Sequence, residues 1–327
     1  MKVIKFFAIT AMAAAMITSC SNEDELSQSN YPSDNIIRVT AGVNNAKTRA
    51  EGAGTEMKND FSLTIVNKNA PKYTYTDKVF SKTSGDWACS ETLLWQKSDA
   101  LVDIVAFAPA QTGKFNGVYA NGSIQPIAYS VAKDQTTADD KNDLLYYYAK
   151  DFNPGESLDK GKLKIQFNHA FCMIDINVTL GTEFNKPEVL KESPIVKVTL
   201  GGTKIAANVN VTNAASVVTI SETDAATDIT TTKGSFDKAA DPEANAKSHF
   251  SCIAIPQTVG ANTFKVSLKT AGKLYEWTSD KEITLQSGYR YTLNLSMGND
   301  VVLLKGGSIS ATPWTEAEIS DNTLETE

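Results

Sequence analysis

The sequence predicts an all-β protein built from β-sandwiches in tandem. Three observations carry this. Short runs alternate apolar and polar side chains, and Gly, Asn, Asp or Pro bound each run. No segment sustains a capped apolar stripe of helical period. The chain has 327 residues, and at about 150 residues per domain that is enough for two cores.

Composition narrows the function classes. Hydrophobic residues make up 42% and charged residues 21%, an ordinary globular balance. Ten Pro against 19 Gly excludes a collagen-like or Pro-rich rod. The formal net charge of −7 argues against a nucleic-acid partner, which needs a basic face. Two His in the chain leave little scope for a His-based metal site or a His general base.

Residues 1–19 read as a lipoprotein signal peptide. Lys2 and Lys5 give a positive start, and the apolar run Phe6–Ile17 is too short to span a bilayer. The run Ile17-Thr18-Ser19-Cys20 resembles a lipobox. That resemblance implies acylation of Cys20 and anchoring in outer-membrane lipid by two or three chains. Ser21-Asn22-Glu23-Asp24-Glu25 resembles a signal for surface export, and residues 20–35 read as a polar, lipidated tether.

The strands follow in order. Ile37, Val39, Ala41 and Val43 fall on one face of a first strand, Ile36–Val43. A polar, Gly-rich stretch holding Thr48-Arg49-Ala50 runs to Asp60. Further strands are expected over 61–66, 73–80, 101–107, 144–149, 163–167 and 171–180. Alternation then predicts strands over 195–200, 205–211, 217–220, 250–255, 264–268, 274–277, 283–285, 289–295, 301–304 and 308–311. Residues 110–142 and 221–247 are polar and read as long loops or insertions. The expected division is an N-terminal sandwich over 36–180 and a C-terminal sandwich over 181–327, parted at Gly181–Pro187.

The search for chemistry finds no catalytic residues, no cofactor site and no metal site. Gly52-Ala53-Gly54 has Met57 where a dinucleotide fingerprint needs glycine, and Gly272-Lys273 lacks the rest of a phosphate loop. His169 and Cys172 are three apart, so an extended strand points them to opposite faces. Asp139, Asp140 and Asp143 lack calcium-loop spacing. Alternation puts Tyr147 opposite Tyr146 and Tyr148. Cys89, Cys172 and Cys252 sit in apolar strand contexts and read as buried small hydrophobes.

These pieces resemble the fimbrillins, the lipoprotein-precursor pilins of type V pili. The resemblance rests on the lipobox at Cys20, the first strand followed by Thr48-Arg49-Ala50, and Val102-Asp103-Ile104-Val105-Ala106-Phe107-Ala108-Pro109. It rests further on Ile165-Gln166-Phe167-Asn168-His169-Ala170, on Ser287 to Leu295, and on the closing Ile309-Ser310-Ala311-Thr312-Pro313-Trp314. It implies two transthyretin-like β-sandwich domains and a non-enzymatic structural role in adhesion. It also implies a route: surface export, cleavage after Arg49, loss of the strand bearing Ile37, Val39, Ala41 and Val43, and filling of the groove by a neighbour's strand.

The implied donor is Ser308, Ile309, Ser310, Ala311 and onward to Trp314, with the tail behind it as the other candidate. The tail behind it is acidic, with only Ile319 and Leu324 as aliphatic anchors, and shaft, tip and anchor positions all stay open. The implied partners are other pilin subunits, membrane lipid through Cys20, and a host or bacterial surface receptor. The alternative from a different class is a permanently anchored glycan-binding lipoprotein that stacks sugars on Tyr147 or Trp95.

Overall fold

The computed structural model of the protein describes residues 30–44, 57, 59–221, 223–299, 301–304 and 309–314. Among them strands dominate; helix is limited to one turn, Pro154–Ser157, and short 3-10 turns. None is long and apolar enough to cross a membrane.

The first strands are β1 (Val39–Val43), β2 (Phe61–Val66), β3 (Tyr75–Thr83), β4 (Asp86–Cys89) and β5 (Val102–Ala108). An excursion follows, with β6 (Tyr119–Ala120), β7 (Ser123–Ile124) and β8 (Ile127–Ser130). The chain then returns through β9 (Leu145–Phe152) and β10 (Leu163–His169). Hydrogen bonding runs β1-β10-β9-β5-β2-β3-β4 and closes on itself as a barrel. The two faces expected of a sandwich are therefore joined at both edges.

Phe61 organises the barrel interior. Its ring stacks on Phe80 with centroids 5.4 Å apart, and it meets Trp87 at 4.9 Å and Phe167 at 5.5 Å edge-on. Strand β5 is buried along its whole length. Ile104 and Ala106 fill the barrel, whereas Val105 and Phe107 face out into a second core.

That second core belongs to β11 (Cys172–Leu180), β12 (Ile195–Gly201), β13 (Ala206–Val209), β14 (Val218–Thr219), β15 (Ile229–Thr230), β16 (Thr232–Asp237) and β17 (Lys247–Ala254). The chain ends through β18 (Thr258–Val259), β19 (Lys265–Thr270), β20 (Leu274–Thr278), β21 (Ile283–Thr284), β22 (Tyr289–Met297), β23 (Val302–Leu304) and β24 (Ser310–Pro313). One sheet has the order β16-β17-β11-β22-β23, with β24 also beside β22. Its Ile174, Ile176, Val178, Leu293 and Leu295 pack in one core with Val198, Leu200, Val266 and Leu268 of the sheet β15-β12-β19-β20.

The ladders correct three expectations. Strand β11, assigned to the first half by its position, pairs antiparallel with β17 and parallel with β22. The change of partners thus falls between His169 and Cys172, before the Gly181–Pro187 stretch. Next, residues 110–142 are not all loop. Strand β8 pairs with β13, and buried Gln135 donates to the Ala132 and Ile253 carbonyls while accepting the Ile253 N–H. Likewise β15 and β16 lie inside the expected loop 221–247. Weakly apolar segments become strands here because larger sheets offer them an edge.

Candidate functional site

The first strand is built as alternation predicts. Ile37, Val39 and Val43 are buried in the barrel core, and Ala41 packs partly against it. Arg38 and Thr40 face solvent. On one side β1 runs parallel to β10, pairing Val39 with Leu163 through Val43 with Phe167. On the other side it meets β4 only through Val39 and Trp87. Beside it on β10 lie Leu163, Ile165 and Phe167, and they share the barrel core with Phe61.

The approach to β1 is also docked, which corrects the tether boundary. Tyr31 packs against the barrel core. The Asn35 carbonyl accepts the Trp95 N–H at 2.8 Å, and the Ile37 N–H donates to the Leu93 carbonyl at 2.9 Å. Asn35 turns the chain with a φ of +57°, a conformation Asn tolerates well. The Asp34 carboxylate takes the Arg38 guanidinium through two hydrogen bonds of 3.0 and 2.6 Å. Those bonds, then the Ile36 N–H, hold its pKa down to about 2.

The candidate donor lies elsewhere. Strand β24 pairs antiparallel with Tyr289 to Thr292 of β22. None of its side chains is buried: Ser310, Ala311 and Pro313 are exposed and Thr312 half-buried. Ile309 packs partly against the second core. Trp314 ends the segment. Its N–H donates to the Gly288 carbonyl at 2.6 Å, and its ring stacks on His169 with centroids 3.9 Å apart. Gly288 sits at a φ of +72°, so a glycine suits the turn that presents this carbonyl.

His169 is positioned by Asp143, whose oxygens lie 2.9 and 3.0 Å from Nδ1. Cys172 looks the other way, with its thiol donating to the Ala254 carbonyl. Burial pushes the thiols of Cys172 and Cys252 well above their ordinary range. No nucleophile–base pair forms from these residues, and no cluster of three potential metal ligands occurs among the described residues. Trp95 is buried, at 2% exposure, so it cannot stack a sugar. Tyr147 packs against the barrel core, and Tyr146 and Tyr148 against the second core. Cys20, Arg49 and Ser308 lie outside the described residues.

Sequence reasoning did not single out the ring cluster of Phe61, Trp87 and Phe167, two of which sit on the strands flanking β1. The available signal was the alternation Leu163, Ile165, Phe167 against Lys164 and Gln166, which marks a strand with one wet face.

The fimbrillin-like family profile matches residues 48–314. The chain belongs to the fimbrillin-like family. Solved structures agree with this fimbrillin-like chain in fold. A candidate cell-adhesion protein from Bacteroides ovatus superposes with a TM-score of 0.60 at 16% identity, covering 86% of this chain and 99% of its own. A fimbrial protein from Bacteroides vulgatus gives 0.53 at 16%, covering 86% and 99%. The tip fimbrial protein Mfa3 from Porphyromonas gingivalis, with a C-terminal truncation, gives 0.51 at 10%, covering 85% and 99%. No curated protein matches the sequence.

Proposed function

We propose that this chain is a structural subunit of a cell-surface fimbria with a role in adhesion. In this reading it is exported as an outer-membrane lipoprotein precursor acylated at Cys20. Cleavage after Arg49 removes the segment carrying β1, and another subunit's strand fills the opening. The two cores are read as two domains. No enzymatic role is assigned, since the residues that could suggest one serve packing.

The observation that carries the proposal is the seating of β1. It is an integral barrel strand, yet it is joined to β4 by one pair. It leads directly into the polar, Gly-rich segment holding Arg49. Losing it would leave unpaired the edge of β10 that holds Leu163, Ile165 and Phe167 and forfeit three buried aliphatic side chains, Ile37, Val39 and Val43. Each such side chain is worth ~1.5–3 kcal/mol when reburied. An open edge over an apolar floor is a strong acceptor for a strand. Donation from one copy to the next is head-to-tail and makes filaments.

Strand β24 suits the donor role because none of its own side chains is fully buried where it now lies. Ile309, Ala311 and Pro313 fall on one face, as an inserted strand requires.

The test is digestion of residues 21–327 with an arginine-specific protease, followed by intact mass and light scattering. One cut after Arg49 and growth into rods is expected, with Arg49→Ala blocking both. A clean cut at Arg49 that leaves a stable monomer would remove the strand-exchange mechanism.

A further inference from the structure

Strand β23 carries apolar side chains on its wet face. Val302 and Leu304 turn towards the second core. Leu303 is 58% exposed, and Val301, just ahead of the strand, is 50% exposed. Among the described residues no other two exposed large apolar side chains lie within two positions of each other. Both stand on the side of the sheet away from the core, where Leu303 pairs with Ser296.

The strand is also an edge. Strand β22 pairs it on one side, and no described strand pairs it on the other. Free-standing domains blunt such edges with charge, proline or a cover. Two neighbouring aliphatic side chains on an unpaired edge point instead to a contact surface.

Chain length names the occupant. This step rests on the assembly proposed above, in which β24 is donated to another subunit. Strand β23 stays behind, held by Val302 in the core and by three pairs with β22. Ile309 follows Leu304 by five residues. At ~3.6 Å per residue, a donated Ile309 lies no more than about 18 Å from Leu304. The accepting barrel is therefore drawn against the β23 edge. Donation also leaves Tyr289 to Thr292 of β22 unpaired on that same side. We infer that Val301 and Leu303 form a second contact between subunits, an apolar docking face for the barrel of the copy that accepts β24.

The test cuts residues 21–327 with the arginine-specific protease and reads rod growth by light scattering. The double variant Val301→Ser/Leu303→Ser should be cut, and unfold thermally, as the parent does, yet need about tenfold more protein to grow rods. Val196→Ser, at a residue 61% exposed in the facing sheet, should leave growth unchanged. A photo-cross-linker placed at 303 reads the contact directly, and should join barrel residues of another copy once rods form. Equal growth from the double variant, or an equal loss in Val196→Ser, would overturn the docking face and leave strand exchange standing. Cross-links confined to the same chain, such as to its own residues 315–327, would do the same. A parent that is cut at Arg49 and grows no rods would overturn strand exchange and this inference together.

Discussion

Val39 and Trp87 form the one residue pair that closes the barrel between β1 and β4. Every other junction around the ring is a ladder of at least two pairs. The shortest ladder between barrel strands therefore lies beside the strand whose removal the proposed assembly requires, with the bonds of Asn35 and Ile37 to Trp95 and Leu93 just ahead of it.

This seam gives a stability prediction. Val39→Ala should destabilise the chain by roughly 1–3 kcal/mol in urea unfolding, because Val39 is 4% exposed and lies in the barrel core. Thr40→Ala, on the wet face of the same strand, should stay within about 0.5 kcal/mol. Equal effects at the two positions would contradict the inward seating of Val39.

The approach to β1 gives a pH prediction. The folded pKa of Asp34, about 2, lies below its ordinary 3.8. A depressed carboxyl stabilises the fold above its unfolded value and loses that contribution as pH falls towards its folded value. The Asp34–Arg38 contribution should thus be complete above about pH 4 and vanish towards pH 2. Carboxyl titration by NMR should find Asp34 ionised below the ordinary aspartate range, and Arg38→Ala should raise its pKa, with the Ile36 N–H still holding part of the shift.

The cysteines should divide by burial. Cys89 is half-buried, whereas Cys172 and Cys252 are buried with their thiols pushed up. A thiol reagent at pH 8 should modify Cys89 in the folded chain and reach the other two only in denaturant. Cys89→Ser should remove the fast phase. Rapid native modification of Cys172 would mean that β11 opens far more readily than its central place in the sheet allows.

The stack of Trp314 on His169 should hold the end of β24. Trp314→Ala removes an aromatic contact worth ~0.5–1.5 kcal/mol. Amide exchange should accelerate over 310–314 and leave the β1–β10 ladder unchanged. Unaltered protection of β24 would show that its ladder with β22 suffices.

Much of this architecture was legible in the sequence, residue by residue. Alternation identified the inward set Ile37, Val39 and Val43, and placed Cys172, Ile174, Ile176 and Val178 on one buried face. It also separated Tyr147 from Tyr146 and Tyr148. Period-2 patterning is local, so it fixes which way a side chain points. It does not fix which strand lies alongside. Nothing within 172–180 indicates that the partners are 247–254 and 289–297. The same holds for the pairing of β8 with β13, which a polar context concealed. The stack of Trp314 on His169 was illegible for the same reason: the two rings come from segments that only the fold brings together.

The parallel register of β1 on β10 has a mechanical consequence. Five consecutive residues are paired in line, from Val39 to Val43. Tension along the chain that passes the docked stretch Asn35–Ile37 enters β1 at one end and runs along the strand axis. The load then falls on all the ladder bonds together, as in a lap joint under shear, and no single bond can give way first. A force across the sheet would instead load the bonds one at a time, and on the β4 side beyond Val39–Trp87 it meets no further pair. The same strand is thus stiff towards tension along the chain and weak towards being lifted out sideways.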